Sequence, residues 1–218
     1  MSLGERILDL LFPPRCPFCG RLLRDGEKDM CRACERSIAY VPESVQVRSF
    51  KHVAACVSPL YYEGSVRESL LRYKFGGVTA YCRIYGKLIA KSVDESGFSC
   101  DIITWVPLSG RRYRRRGYDQ AQLIAQRAAE RLSLPCRKLL EKTRDNPPQS
   151  STGNAVKRRA NAAGAYRCID SAAVRGRRIL IIDDIVTTGS TLSECAKVLE
   201  SAGAEAVFAA AAACSRDG

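Results

Sequence analysis

A short apolar strand followed by two acids and a hydroxyl-rich turn constrains this 218-residue chain more than any other feature. Residues 178–182 (RILII) carry an apolar, β-branched run that is typical of a buried parallel strand. Asp183 and Asp184 follow directly, and the turn at 187–191 (TTGST) then opens a predicted helix. Open α/β folds bind ligands at the carboxyl ends of their parallel strands. We therefore expect the ligand site at the end of this strand.

The turn after the two acids has the composition of a phosphate site. Backbone N–H groups, hydroxyls and a helix N-terminus together cradle an anion. The candidate residues are Thr187, Thr188, Gly189, Ser190 and Thr191. Asp183 and Asp184 lie about one sugar's length before the turn, where carboxylates can bind ribose hydroxyls and help to hold a divalent metal. The segment matches neither the Walker phosphate loop nor the Rossmann dinucleotide pattern. A capped turn with solvated acids is the alternative.

The rest of the chain alternates strands and helices. We predict strands at 53–61, 101–106, 178–182 and 205–211, and helices at 64–73, 80–93, 118–132 and 190–201. This alternation predicts an α/β fold in which helices flank a parallel sheet. The polar, basic stretch at 143–164 is predicted to be a loop. No run of about 18 apolar residues is present, so we expect no membrane insertion.

Four early cysteines predict a small metal-binding module. They form two C-x2-C pairs separated by eleven residues, and the predicted ligands are Cys16, Cys19, Cys31 and Cys34. Four thiolates complete a tetrahedral site that selects zinc and leaves no open position, so the zinc is expected to be structural. A redox C-x-x-C pair or an iron–sulfur cluster is the alternative. We expect a zinc ribbon at 1–50 and a second domain at 51–218.

The other seven cysteines are scattered and odd in number, which is not the pattern of a disulfide framework. Buried free cysteines behave as small apolar residues and persist in a reducing compartment. The cysteine pattern therefore predicts a cytoplasmic protein.

Positive charge is the remaining feature of the composition. The chain has 35 Lys and Arg against 23 Asp and Glu, a net charge of +12, which favours phosphorylated small molecules, nucleic acid or an anionic surface as partners. The charge is densest at 111–116 (RRYRRR), ahead of a predicted helix. We predict a loop there that can close over a phosphorylated ligand and neutralise its charge, with Arg116 as a catalytic candidate. Contact with nucleic-acid phosphates, or an exposed loop without chemistry, is the alternative.

Residues 179–191 resemble the 5-phosphoribosyl-1-pyrophosphate (PRPP) signature of type I phosphoribosyltransferases, in which apolar residues precede two acids and a T-T/S-G-x-T turn. Further segments narrow the resemblance to the competence protein F (ComF) family, amidophosphoribosyltransferase-like proteins of bacteria. In chain order they are YKFGG at 73–77, VPL at 106–108, RRGYDQ at 115–120, Gln149, RRAN at 158–161 and GAY at 164–166. Three departures from the family pattern are conservative: Asp119 replaces the more frequent Asn, and Tyr118 and Tyr166 replace Phe.

The resemblance implies a type I phosphoribosyltransferase fold and assigns roles to individual residues. Asp183 and Asp184 would contact the ribose 2′- and 3′-hydroxyls, and residues 187–191 would hold the 5′-phosphate. The loop after the strand that ends at Val106 would bind the pyrophosphate, with Pro107, Leu108 and Ser109 as candidates. Mg²⁺ would accompany PRPP at this site.

The resemblance also implies a function: a PRPP- and magnesium-binding, phosphoribosyltransferase-like protein linked to DNA uptake or DNA use. Phosphoribosyl transfer would need an acceptor that the sequence does not name, so whether the chain is an enzyme stays open. The second hypothesis is a single-stranded DNA-binding competence factor, with a DNA translocase as partner, that uses the PRPP site as a sensor or not at all. Lys74 and Phe75 are candidates for the acceptor side, with an ordinary core position for Phe75 as the alternative.

Overall fold

The computed structural model describes residues 13–43, 46–144 and 164–216. Strands β1–β8 span Val47–Phe50, Val53–Val57, Leu60–Tyr61, Ile102–Trp105, Leu140–Lys142, Tyr166–Cys168, Arg178–Val186 and Ala206–Cys214. Helices α1–α7 span Arg32–Ser37, Gly64–Phe75, Cys82–Glu95, Gly110–Arg116, Gln120–Leu132, Ser171–Val174 and Ser190–Ser201. Gln149 and residues 158–161, which carry part of the family resemblance, lie outside the described residues.

Six strands form the central sheet, in the order β1-β2-β8-β7-β4 with β3 also paired to β8. β2, β8, β7 and β4 run parallel, and β1 is antiparallel to β2 at one edge. β5 and β6 form a separate antiparallel pair. The predicted parallel sheet with flanking helices is confirmed, with one antiparallel edge strand added. β1 lies at 47–50, just before the expected domain division at residue 50, and that division stays a prediction.

The central strand β7 is buried on both faces, which explains its uninterrupted apolar run. Successive side chains of a strand point to opposite faces. Leu180 and Ile182 accordingly pack in the apolar cluster formed by α2, α3 and α5, whereas Ile179 and Ile181 pack in the cluster that contains α7. All four side chains are fully buried. Two layers of helices therefore enclose this strand and leave only its ends accessible.

Three predicted strands differ from those observed, and the one predicted at 205–211 is β8, which continues to Cys214. The strand predicted at 53–61 is divided into β2 and β3, because Pro59 lies between them and has no N–H to donate to a ladder. The strand predicted at 178–182 continues to Val186, since its backbone pairing with β8 persists beyond the apolar run. Both acids therefore belong to the strand itself.

The four predicted ligand cysteines converge on one point. Their Sγ atoms all lie within 4.8 Å of one another, and those of Cys19 and Cys31 are 3.7 Å apart. A tetrahedral site with zinc–sulfur distances near 2.3 Å requires sulfur–sulfur separations of about 3.8 Å. The cluster therefore fits zinc, and the N-terminal module is a structural zinc ribbon. Three of the ligands are buried, and Cys19 is exposed.

Hydrogen bonds favour the metal-binding form of Cys31. Cys31 caps α1, because its sulfur accepts from the N–H of Cys34 at 3.3 Å. Burial alone would raise the pKa of Cys31, but donation from the Cys34 amide and from the Arg21 guanidinium brings this pKa down to about 6. Arg21 is itself held by Glu27 at 2.6 Å. The thiolate, which is the form that binds zinc, is therefore favoured at this ligand.

Helices α3 and α5 cross at a glycine. A Cβ atom added to Gly86 would lie 2.5 Å from Cβ of Arg127 and 3.0 Å from the backbone nitrogen of Ala128. The close approach of the two helices therefore requires a residue without a side chain at this position.

Among the helices of the described ranges, none combines the length and the apolar character needed to span a bilayer.

Replacing Cys31 by Ser should lower the zinc content from one atom per chain to none, because one of the four thiolates is lost. Metal analysis of protein purified without added zinc provides the measurement. Cys168→Ser, which removes a partly buried thiol from β6, is the control and should keep one zinc. Wild-type protein that carries no metal, or iron with visible absorbance, would contradict the prediction.

Replacing Gly86 by Ala should destabilise the fold by about 1–3 kcal/mol, because the added methyl group overpacks the α3–α5 crossing. For a chain of this size, each kcal/mol corresponds to a fall of about 2–4 °C in the thermal unfolding midpoint. Gly110→Ala is the control, because a Cβ there meets nothing closer than 3.5 Å. Equal midpoints for the two variants would rule out a steric requirement for Gly86.

Candidate functional site

The register of β4 and β7 brings the two predicted ligand loops together. Trp105 pairs with Ile182 near the ends of these parallel strands, and the N–H of Val106 donates to the carbonyl of Ile182 at 2.9 Å. Residues 106–109 and 183–191 therefore leave the same edge of the sheet. This is the carboxyl edge, where α/β folds bind ligands.

The two acids occupy consecutive positions near the carboxyl end of β7. Oδ1 of Asp184 forms an ion pair with Nζ of Lys74 in α2 at 3.0 Å, and these side chains are only 14% and 18% exposed. Oδ1 of Asp183 accepts from the backbone N–H of Asp184 at 2.8 Å. Burial raises the pKa of Asp183 well above its usual range, and the adjacent charge of Asp184 raises it further. The Lys74 ammonium contacts Asp184, and the two carboxylates together keep acceptor capacity for a cation or for hydroxyl donors.

The turn at 187–191 joins β7 to α7. Gly189 occupies the position before the helix with a φ of 68°, and a Cβ atom there would lie 2.3 Å from the ring of Phe50. Because this glycine offers no side-chain acceptor, the first amides of α7 have no side-chain cap and are oriented as an anion site requires. Oγ1 of Thr188 and Oγ of Ser190 are 2.7 Å apart. The partly buried hydroxyl residues of the turn are Thr187, Thr188, Ser190 and Thr191.

The loop of Pro107, Leu108 and Ser109 connects β4 to α4. The N–H of Leu108 donates to Oδ2 of Asp119 at 2.9 Å, and the same carboxylate caps α5 by accepting from the N–H of Gln122 at 3.3 Å. Ser109 is 3% exposed, and its hydroxyl has no hydrogen-bond partner within the described part of the chain. A buried polar group without a partner is costly. A ligand bound at this loop would supply that partner.

The arginine-rich segment at 111–116 was predicted to be a loop, but it forms helix α4. The helix ends at Gly117, whose φ of 79° is typical of a helix C-terminus. The Arg116 guanidinium donates to Oε1 of Gln120 at 2.8 Å and lies 4.9 Å from the centre of the Phe75 ring. Phe75 is 66% exposed, so the alternative of a core position for it was wrong.

Arg116 is an arginine of this helix that lies near the acid pair. Burial lowers the pKa of Arg116, and the negative charge of Asp184 opposes that shift. Arg111, Arg114 and Arg115 are exposed on the surface of α4. The helix therefore places the charge of Arg116 near the acids and presents its three exposed arginines to solvent.

Sequence reasoning missed part of this arrangement. Asp119 directly precedes an amphipathic helix, which is a recognisable N-cap signal, but its bond to Leu108 has no local signature. The acceptor-side role of Lys74 stays a prediction, and its ion pair with Asp184 was not anticipated. The contact of Phe50 with Gly189 in the turn at 187–191 joins segments that are distant in the chain, so no pattern within either segment indicates it.

Comparison with known proteins agrees with this arrangement of two modules. The family model for the phosphoribosyl transferase domain matches residues 119–217, which include the acid pair and the turn at 187–191. The family model for the double zinc ribbon domain matches residues 7–45, which include all four ligand cysteines. The chain therefore has a phosphoribosyltransferase-type domain behind a zinc ribbon.

Three relatives match this chain to different extents. Competence protein F of Haemophilus influenzae is 26% identical over 88% of this chain and 93% of the relative. Competence protein ComFC of Streptococcus pneumoniae is 30% identical over 67% of this chain and 62% of the relative. DNA utilization protein YhgH of Escherichia coli K12 is 37% identical, but the match spans only 49% of this chain and 46% of the relative. Together with the two domain matches, these relatives identify the chain as a member of the competence protein F family within the phosphoribosyltransferase superfamily.

Proposed function

We propose that the chain binds PRPP together with Mg²⁺ at the carboxyl edge of its sheet. The observation that carries the proposal is the meeting of three features there: the paired acids of β7, the uncapped amides at the start of α7 and the buried, unpartnered hydroxyl of Ser109. A ribose that carries a phosphate on C5 and a pyrophosphate on C1 has groups of matching chemistry. The hydroxyls match the acids, and the two phosphate groups match the two loops.

Each element has one task in this proposal. The turn at 187–191 holds the 5′-phosphate, and Asp183 and Asp184 accept hydrogen bonds from the ribose hydroxyls. The loop at 107–109 binds the pyrophosphate and completes the hydrogen bonding of Ser109. The carboxylate oxygens are ligands that suit Mg²⁺, which would offset the charge of the pyrophosphate as it leaves. Arg116 adds a fixed positive charge beside this edge.

We propose phosphoribosyl transfer to a nitrogen acceptor as the reaction that this site supports. The bond from C1 to the pyrophosphate oxygen breaks, and its electron pair leaves on pyrophosphate. The lone pair of the acceptor nitrogen forms the new bond to C1, and that nitrogen then loses a proton. The protein contributes by orienting the two reactants and stabilising charge, because no side chain has to form a covalent intermediate.

We place this protein in the cytoplasm and in DNA uptake or DNA use. Its relatives carry names that refer to competence and to DNA utilization. All eleven cysteines are free, which suits a reducing compartment. We retain 1–50 and 51–218 as the bounds of the two domains.

Replacing Asp183 and Asp184 together by Asn should weaken PRPP binding by more than about 100-fold, because two charge-assisted hydrogen bonds to ribose are lost. Calorimetric titration with PRPP, with and without Mg²⁺, at modest salt provides the measurement. The fold should survive, since burial already favours an uncharged group at residue 183 and Asn keeps an acceptor for the N–H of residue 184.

The matched control replaces an acidic pair elsewhere, Asp94→Asn with Glu95→Gln at the exposed end of α3. This variant should bind PRPP as tightly as wild type. Wild-type protein that binds no PRPP, or tight binding by the Asp183 and Asp184 variant, would refute the proposed ligand.

A second candidate function is single-stranded DNA binding, with a DNA translocase as partner. It is favoured by the surface of α4, where Arg111, Arg114 and Arg115 are exposed beside a 49% exposed Tyr113. Phe75, 66% exposed, adds a further ring that a base can stack on. Cations with interleaved aromatic rings are the usual composition of a single-strand binding surface. The net charge of +12 would attract the strand at long range.

Replacing Arg111, Arg114 and Arg115 by Gln should weaken binding of a labelled oligothymidylate and flatten its salt dependence. Each lost phosphate contact lowers the slope of log affinity against log salt by about 0.7 for single strands. Fluorescence anisotropy across a salt series provides the measurement.

The matched control removes three exposed arginines elsewhere on the surface: Arg131, Arg175 and Arg177. It removes the same charge and should leave the slope unchanged. An equal loss in both variants would mean that only net charge matters, and absent or salt-insensitive binding by wild type would remove this candidate.

A further inference from the structure

Three consecutive residues at the end of α2 connect the zinc ribbon with the acid pair. Nη2 of Arg72 donates to the carbonyl oxygens of Pro17 at 2.8 Å and Phe18 at 3.2 Å. Pro17 and Phe18 are the two residues between the first pair of zinc ligands. Two residues further along the helix, Nζ of Lys74 lies 3.0 Å from Oδ1 of Asp184. A single helical turn therefore touches both sites.

Aromatic packing makes this connection stiff. Phe18, fully buried beneath the ribbon, meets the ring of Tyr85 edge-on, with ring centres 6.3 Å apart. Tyr85 lies 5.8 Å from Tyr73, and Tyr73 lies 6.2 Å from Tyr118. The Tyr85 hydroxyl donates to Ser69 of α2 at 2.7 Å. Close-packed rings of this kind transmit a displacement, because the interior has no space to absorb it.

The opposite side of the same turn is held by the start of α5. The Tyr118 hydroxyl donates to the carbonyl of Tyr73, and Tyr73 in turn donates its hydroxyl to the carbonyl of Gln120 at 2.9 Å. Nε2 of Gln120 lies 3.5 Å from the carbonyl of Lys74. The backbone that carries Lys74 is thus fixed on one side by α5 and on the other by the ribbon.

The position of Lys74 matters because its ammonium pairs with Asp184, one of the two acids proposed to bind the ligand. A lysine side chain is long and flexible, so a short contact with a partly buried carboxylate depends on where its backbone is held. Among the residues that the structure describes, Arg72 has one other ionic contact, 3.8 Å from Glu68 on the exposed face of α2, and such a pair contributes little. The carbonyls of the first cysteine pair are therefore the main anchor of Arg72.

We propose that Arg72 is a positioning residue that ties the zinc-bound knuckle to the end of α2 and so keeps the Lys74 ammonium on Asp184. Zinc in the ribbon then sets the ligand affinity of the acid pair. Zinc fixes the conformation of the knuckle, and the knuckle carbonyls hold Arg72 only in that conformation. The effect on ligand affinity rests on the proposed PRPP function, whereas the effect on Lys74 does not.

The test compares Arg72→Met with wild type by two independent readouts. The first is the side-chain ammonium signal of Lys74 in protein with ¹⁵N-labelled lysine, assigned by its absence in Lys74→Gln. Arg72→Met should shift or broaden this signal, and removal of zinc from wild type by a chelator should do the same. The second is calorimetry with Mg²⁺ and PRPP, in which Arg72→Met should bind about tenfold more weakly, as expected from the loss of one ion pair.

Arg67→Met is the matched control, since Arg67 is an exposed arginine of the same helix. It should leave the Lys74 signal, the zinc content and the PRPP affinity unchanged. If Arg72→Met fails to fold, Arg72→Lys takes its place; its shorter reach and single ammonium should give an intermediate loss.

The two readouts separate the inference from the function beneath it. An unchanged Lys74 signal in both Arg72 variants, or in zinc-free wild type, would overturn the inference. A shifted signal with unchanged PRPP affinity would overturn its functional half. Wild type that binds no PRPP would refute the proposed function, and the Lys74 signal alone would then decide whether Arg72 positions this lysine.

Discussion

Two negative charges in consecutive residues at the end of a buried strand set the conditions for the structure around them. Asp183 and Asp184 are fixed by the backbone of β7, which continues through both residues in register with β8. Burial and mutual repulsion oppose the ionised pair and raise the pKa of Asp183. Cations on neighbouring elements, Lys74 from α2 and Arg116 from α4, lie near the pair and stabilise its negative charge. The charge of the acid pair is therefore partly compensated by cations from separate parts of the chain, and a ligand bound there would change that compensation.

Local sequence patterns predicted the central strand, helix α7 and the cysteine cluster, because each of these is determined by residues within its own segment. The apolar run before Asp183 is buried on both faces, and a short continuous apolar run is typical of a strand in a parallel sheet covered by helices on both sides. Helix α7 spans Ser190–Ser201, as its periodicity and the following Gly203 indicate. The cysteine spacing predicted a cluster whose four sulfur atoms do converge. In each case the residues that determine the element lie within it.

Sequence patterns were less informative where an element or a contact is determined by residues in another part of the chain. The backbone pairing that extends β7 beyond its apolar run is supplied by β8, so the acids remain in the strand although their side chains are polar. The arginines of α4 give no amphipathic pattern, and their helix is defined by the glycine that ends it. The contacts of Lys74 with Asp184, and of Phe50 with Gly189, join residues that only the folded topology brings together.

The uneven burial of the zinc ligands has a consequence for the lifetime of the metal. Cys16, Cys31 and Cys34 are enclosed by protein, whereas Cys19 faces solvent. A competing ligand can therefore approach from one direction only, and Cys19 is the first sulfur that it can replace. Metal exchange should proceed stepwise through this thiolate, so its rate reflects how often one zinc–sulfur bond opens and not the free energy of the whole site. A centre of this kind can hold zinc very tightly at equilibrium and still pass it to an acceptor that reaches that single sulfur.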